Sequence, residues 1–257
     1  MGILNVTPDS FSDGGQFIEP TNAINQAKKM LEDGASIIDI GGESTRPGAK
    51  EVTEKEELTR VIPVIKAIRT FSDCIISIDT SKPTVMEQAI AAGATMINDV
   101  RALQEENALR VASKLQVPVC LMHMQGQPRS MQKEPHYTDV VLDVKQFLQQ
   151  RINDCLQAGI KKSNIIIDPG FGFGKTFEHN ILLFKAINQF VEMGYPVLVG
   201  VSKKTMIGQI LNEENVDKRN NASVVMAVLA VQQGASILRV HDVKPTVDAL
   251  AVISSLE

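Results

Sequence analysis

Eight short apolar runs, each followed by a stretch of helical periodicity, restrict this chain more than any other feature. They are Gly2–Val6, Ser36–Ile40, Cys74–Asp79, Thr95–Val100, Val117–Met122, Ile165–Asp168, Pro196–Val201 and Ser236–Val240. The runs are rich in β-branched residues, and most stay apolar until their last positions, as strands buried on both faces of a parallel sheet do. Between them the spacing predicts helices over Thr21–Asp33, Thr53–Thr70, Glu105–Leu115, Thr138–Ala158, Phe177–Met193, Asn221–Gln233 and Pro245–Leu256. A further helix opens at Lys82-Pro83, where proline suits a first helical turn. Thr53-Glu54-Lys55-Glu56 is a capping-box pattern. Gly34, Gly93, Gly159, Gly194 and Gly234 each stand between a helix and the next strand, where a left-handed residue stops the helix. Eight β-then-α units without a linker predict an α/β fold: one domain over residues 1–257, a (β/α)8 TIM barrel. The runner-up, a doubly wound open sheet, needs fewer strands per sheet or a domain boundary, and none is visible.

The 257 residues are 44% hydrophobic, enough for a sizeable core, and the formal net charge is -4. No global basic field attracts nucleic acid or anionic lipid, so neither is an expected partner. No apolar run is long enough to span a bilayer, and Met1 enters the first strand with no basic leader before it. The expectation is a cytoplasmic protein. Cys74, Cys120 and Cys155 lack metal-ligand spacing and read as buried thiols rather than disulfides.

Chemistry on such barrels sits at the carboxyl ends of the strands. Here those ends are polar almost everywhere: Asn5, Asp39 to Gly48, Asp79 to Lys82, Asn98-Asp99, His123, Asp168, Ser202-Lys203-Lys204 and Arg239 to Asp242. A single polar end is ordinarily a cap for the next helix, and for Ser81 or Asp242 that is the preferred reading. Eight together, two of them with basic clusters, point to a ligand site. Arg239 and His241 share one side of strand eight, and a guanidinium fork beside an imidazole suits a phosphoryl group. Asp79 and Asp168 could be a metal pair, an acid/base pair or acceptors for a ligand. With Asn98 and a lysine, they could also read a planar heterocycle bearing donors and a carbonyl.

Two apparent motifs fail. Asp168-Pro-Gly-Phe-Gly-Phe-Gly-Lys-Thr176 has Pro169 where a P-loop requires its first glycine. The same run lacks the dinucleotide G-x-G-x-x-G spacing. HExxH, GxSxG and CxxC are absent from the sequence.

The set of motifs resembles the dihydropteroate synthase family over nearly the whole chain. Met1–Gly15, Asp39–Gly48, Ser77–Pro83, Ile97–Asp99, Leu121–Met124, Ile167–Lys175 and Arg239–Asp242 follow in the family's order. The resemblance implies a TIM barrel that joins p-aminobenzoate to 6-hydroxymethyl-7,8-dihydropterin diphosphate, releasing diphosphate and forming 7,8-dihydropteroate for folate. It implies pterin contacts from Asp79, Asn98, Asp168 and Lys204, and diphosphate contacts from Thr45, Arg239 and His241. Asn5 would contact a magnesium ion. Phe173, Ser202, Lys204, Pro8 and Phe11 would bound the p-aminobenzoate pocket, where sulfonamides compete. Asp79, Lys204, Arg46 and Asp9 are the expected catalytic residues, with no classical general base. The family also implies a homodimer, with the apolar helix Asn221–Gln233 as its candidate interface. The chain departs from the family's usual Ser-Arg-Lys with Ser202-Lys203-Lys204, and has Ala222-Ser223 where a glycine is usual. The competing readings are a methyltetrahydrofolate:corrinoid methyltransferase, which has no use for a diphosphate site, and a non-catalytic pterin-binding paralogue.

Overall fold

The computed structural model describes residues 1–7, 20–44, 51–126, 131–132 and 134–256. Six strands pair in parallel in chain order: β1 (Gly2–Asn5), β2 (Ile37–Gly41), β3 (Ile75–Asp79), β4 (Met96–Asp99), β5 (Val119–Met122) and β6 (Ile165–Asp168). Two shorter strands, β7 (Leu198–Val199) and β8 (Ile237–Leu238), pair with each other, also in parallel. Bridges close both seams: Ile167 pairs with Val197 and Gly2 with Val240. Ile3 N donates to Val240 O at 3.0 Å and Val240 N to Met1 O at 2.9 Å. The result is the predicted eight-stranded barrel.

The helices are α1 (Pro20–Glu32), α2 (Glu54–Arg69), α3 (Pro83–Ala92), α4 (Ala108–Leu115), α5 (Val140–Gln157), α6 (Phe177–Lys185), α7 (Ile187–Val191), α8 (Thr205–Leu211), α9 (Asn220–Gln232) and α10 (Val243–Ser254). The expected capping box forms: Glu56 N donates to Thr53 Oγ1 at 3.3 Å and Thr53 N to Glu56 Oε2 at 2.8 Å. The single helix expected over Phe177–Met193 is two, because Ala186 leaves helical geometry at φ -107° and its N–H tightens onto Leu183 O. The α8 helix was not expected. Seven residues are too short to show periodicity. The last two strands are shorter than the sequence suggests because Ser236 N and Ile237 N both donate to Val197 O, which interrupts the regular ladder.

Strand side chains alternate between two cores. Outward residues such as Ile38, Ile40, Ile76, Ile78, Ile97, Leu121 and Ile167 join the helices in the main apolar core. Met96, Cys120, Ile166 and Leu198, with Met1 and Ile237 beside them, form a separate cluster in the barrel's interior. Two residues further along the same strands, that interior side carries Asn98, Met122, Asp168 and Arg239. The interior is therefore apolar at one end and charged at the other, and the charged end is the carboxyl end.

All five helix-stop glycines adopt positive φ, from 77° at Gly194 to 118° at Gly93. At Gly93 a Cβ would also lie 2.7 Å from Arg69 Cγ, whereas at Gly159 it would meet nothing within 4 Å. Arg69 is committed there, donating from Nε to Gly93 O at 2.7 Å and from Nη1 to Cys74 O at 2.6 Å. Gly159→Ala should cost only the left-handed penalty, about 1–2 kcal/mol, and Gly93→Ala measurably more. Urea unfolding of the two variants checks this, and equal losses would refute the steric contribution.

Candidate active site

One buried guanidinium organises the charged end of the barrel. Arg239, just past β8, donates from Nε to Asp39 Oδ2 at 2.6 Å and from Nη2 to Asp79 Oδ2 at 2.7 Å. Asp39 Oδ2 also accepts from Asn98 Nδ2 at 3.2 Å, while its buried Oδ1 has no partner among the described residues. Asp39, Asp79, Asn98 and Arg239 thus form one network across β2, β3, β4 and the end of β8. Burial disfavours the Arg239 charge, but the two carboxylates outweigh it and hold its pKa above the ordinary range. Burial raises the Asp79 carboxyl to about 7; Arg239 pulls it down, and Asp39 and Glu57 push it further up.

Asp168 ends β6 and accepts the Gly170 N–H on Oδ1 at 2.7 Å. Burial raises its pKa, with Lys204 and that N–H opposing. Lys204 donates from Nζ to Phe171 O, and the same nitrogen sits 4.7 Å from the centroid of the Phe173 ring. Burial lowers its amine to about 8, against the attraction of Asp168. Ser202 Oγ lies 3.0 Å from His241 Nδ1 and accepts the His241 N–H at 3.2 Å, joining the two basic strand ends.

Lys203 sits between these residues at φ 59°, a left-handed turn that sends its side chain away from theirs. Its Nζ pairs with Asp242 at 3.1 Å and its N–H donates to Ser223 Oγ at 2.9 Å. The position where the chain departs from the usual arginine is therefore an anchor of the turn. Asp242 stands at the N-cap position of α10 as expected, but its side chain makes no cap hydrogen bond and takes Lys203 instead, and the Ser81 hydroxyl donates to Asp99. Asp99 is structural, accepting also from Arg101 N at 2.8 Å and Leu103 N at 2.7 Å.

The glycine-rich run after β6 holds its own lysine. Gly170, Gly172 and Gly174 all have φ between 62° and 78°, and a Cβ on Gly170 would stand 1.8 Å from His123 O. That close approach lets buried Lys175 reach Gly170 O at 2.9 Å, Phe173 O at 3.0 Å and His123 Nδ1 at 2.9 Å. Burial pushes the Lys175 amine well below the usual lysine range. Burial and Lys175 hold His123 down to about 2, so its imidazole is neutral. The loop that carries Phe173 is thereby fixed from beneath.

Of the residues expected from sequence, Asn5, Asp79, Asn98, Asp168, Phe173, Ser202, Lys204, Arg239 and His241 all lie at this end of the barrel. Pro8, Asp9, Phe11, Thr45 and Arg46 lie outside the described residues. Sequence reading left Asp39 and Lys175 without a role. Asp39 is mid-strand rather than at a strand end, and its signal was an aspartate two residues before Gly41 on the inward side. Among the described residues, no group of three or more His, Cys, Asp or Glu could hold a metal. Asn5 Oδ1 and Asp79 Oδ2 do flank Gly41, at 3.6 and 3.7 Å from where its Cβ would stand. Asn5 Oδ1 is an oxygen of the kind a magnesium ion takes, whereas Asp79 Oδ2 is already engaged by Arg239 Nη2.

The family profile described as "Pterin binding enzyme" matches residues 1–241. The dihydropteroate synthase of Haemophilus influenzae is 60% identical over 252 residues, 98% of this chain and 91% of that protein. The Yersinia pestis dihydropteroate synthase, solved with a sulfonamide drug complex, superposes with a TM-score of 0.94 at 51% identity. That match covers 99% of this chain and 92% of the other. The Xanthomonas albilineans enzyme in complex with 7,8-dihydropteroate gives 0.91 at 46% identity, over 99% and 92%.

Removing the organising cation gives a direct test of the network. Arg239→Met should cost roughly 3–5 kcal/mol in urea unfolding at pH 8.5, because two buried carboxylates lose their partner. At pH 5.5 the loss should be smaller. Asp79 is raised from 3.8 to about 7, so it favours folding at low pH and that advantage disappears as pH rises towards 7. A pH-independent loss would refute the pairing. The chain belongs to the pterin-binding enzyme family and, within it, to the dihydropteroate synthases.

Proposed function

We propose that this barrel mouth joins the arylamine of p-aminobenzoate to the methylene carbon of 6-hydroxymethyl-7,8-dihydropterin diphosphate, with the following division of labour. Asp168 accepts from the 2-amino and ring N–H edge of the pterin. Asn98 complements the same ring; with Nδ2 given to Asp39, its free face is the acceptor Oδ1. Lys204 donates to the pterin carbonyl or a ring nitrogen. Arg239, His241 and Thr45 hold the diphosphate. Phe173, Ser202 and Lys204, with Pro8 and Phe11, bound the arylamine pocket, and Ser202 reaches its carboxylate. Asp9 and Arg46 complete the catalytic set.

The bond from the methylene carbon to the diphosphate oxygen breaks, and the electron pair leaves with the diphosphate. The carbon is left as a cation conjugated to the ring. An ionised Asp79 about 4 Å from that charge contributes about 4 kcal/mol at an effective dielectric of 20. The neutral arylamine attacks the carbon and afterwards loses its proton, so no strong base is required. Magnesium at Asn5, when bound, neutralises charge on the diphosphate. The observation that carries the reading is the Asp79–Arg239 pair, which places a carboxylate for the cation against a guanidinium for the departing anion. The methyltransferase reading is disfavoured because it has no diphosphate for Arg239 and His241 to hold. The relatives solved with a sulfonamide and with 7,8-dihydropteroate support the arylamine pocket and the product.

The three thiols, free in this fold, suit the reducing cytoplasm. Among the described residues no helix is long and apolar enough to cross a membrane. A homodimer is the proposed assembly. On α9 and α10, which pack together, Val225 and Val252 are 56% and 60% exposed, and Leu229 shares the α9 face with Val225. Light scattering of Val225→Asp/Val252→Asp should give a monomer mass, whereas an unchanged dimer would move the interface elsewhere.

Labelled p-aminobenzoate, the dihydropterin diphosphate and magnesium should yield labelled dihydropteroate; absence of product from folded protein would remove the reading. In that assay kcat/KM for the pterin should be bell-shaped. It falls below about pH 7 as Asp79 takes a proton and above about pH 8 as Lys204 loses one. A flat profile from pH 5.5 to 9.5 would contradict both roles.

A further inference from the structure

From Gly170 to Thr176, every backbone carbonyl of the loop after β6 accepts a hydrogen bond from a side chain. Lys175 Nζ donates to Gly170 O at 2.9 Å and to Phe173 O at 3.0 Å. Lys204 Nζ donates to Phe171 O, and Gln132 Nε2 to Gly172 O. Tyr137 Oη donates to Gly174 O at 2.7 Å. Asn180 Nδ2 completes the set, donating to Lys175 O at 3.4 Å and Thr176 O at 2.6 Å, while its Oδ1 accepts the Gly172 N–H at 2.7 Å. Loop carbonyls ordinarily turn to water and leave side chains their rotamer freedom. Here side chains are immobilised around a run whose glycines would otherwise be its most permissive points.

Lys175 is the centre of this frame. Two N–H groups of a neutral amine satisfy the two carbonyls, and its lone pair can accept from the His123 imidazole at 2.9 Å. The lowered pKa of the buried amine agrees with that arrangement. His123 is itself fixed at the end of β5: its N–H donates to Asp168 O at 3.0 Å, and its ring stands edge-on to Phe147 at 4.9 Å. The loop therefore rests on the barrel wall.

The two phenylalanines of the loop depend on the frame to different degrees. Phe171 is fully buried against Phe184, so its own packing holds it. Phe173 is half-buried, belongs to neither apolar cluster, and places its ring 4.7 Å from Lys204 Nζ. Its position is set by its backbone, whose carbonyl Lys175 holds. Asp168 is secured separately, by the Gly170 and His123 N–H groups. We propose that this frame, with Lys175 as its central positioning residue, holds the Phe173 ring opposite Lys204 for the arylamine half of the reaction. This rests on the dihydropteroate reading. Lys175 touches neither substrate and acts through Phe173.

Lys175→Met keeps the length of the side chain and removes the amine. KM for p-aminobenzoate should rise tenfold or more, while calorimetric Kd for the dihydropterin diphosphate stays within threefold. A KM within twofold of the wild type, or equal losses for both substrates, would overturn the role. A double-mutant cycle reads the dependence on the ring. In a Phe173→Ala background the same substitution should change KM by less than twofold, because the group it positions is gone; a full tenfold loss there would overturn the proposal. Tyr137→Phe removes one hydroxyl from the frame and keeps the test open if Lys175→Met does not fold. It should raise KM for p-aminobenzoate threefold or more with pterin affinity unchanged, and an unchanged KM would overturn the proposal. Wild-type turnover in the same assay tests the reaction itself, so the two failures give different results.

Discussion

Everything at the barrel mouth depends on a single cation held between two carboxylates. Arg239 reaches β2 and β3 from the end of β8, so one side chain spans the seam that β1 closes. Asp39 would be an intolerable buried charge without it, because one of its oxygens already lacks a partner. In turn Asp39 orients Asn98, and Arg239 opposes the rise in the Asp79 pKa that burial imposes. The arrangement contributes little net stability for its desolvation. Its value is orientation: acceptors, an amide and a guanidinium are fixed in place before any ligand arrives.

The fold was legible because its signals are periodic and repeated. Eight apolar runs and five helix-stop glycines gave the barrel, and Gly34, Gly93, Gly159, Gly194 and Gly234 all adopt the positive φ that their positions required. What escaped was short or irregular. The seven residues of α8 span two turns, and the break at Ala186 is a local tightening that no composition signal marks. The shortened β7–β8 pair reflects two N–H groups sharing Val197 O, a register detail below the resolution of a hydrophobic pattern.

The site was legible for a different reason. Strand ends are where a buried barrel has no use for polarity, so Asp79, Asn98, Asp168 and Arg239 stood out against apolar runs. Asp39 did not, because it precedes the strand end and looked like part of a polar loop. Lys175 was hidden by a motif it does not belong to. The alternating glycines resemble a phosphate loop, but the Gly170 and Phe173 carbonyls, with His123, enclose the lysine's own amine. A lysine held by two carbonyls of its own loop and the His123 imidazole after β5 has little capacity left for an external anion.

That observation separates the basic residues of the mouth by task. Lys175 supports the Phe173 loop, and Lys203 anchors the turn after β7 through Asp242 and Ser223. Lys82 pairs with Glu43 and Glu57. Among the described residues, Arg239 and Lys204 lie against Asp79, Asp168 and the Phe173 ring. In a chain of net charge -4, the described cations of the barrel mouth are thus held by partners within the protein. An anionic leaving group then meets a positive site shaped by fixed partners rather than by a general basic field, and selectivity follows from geometry.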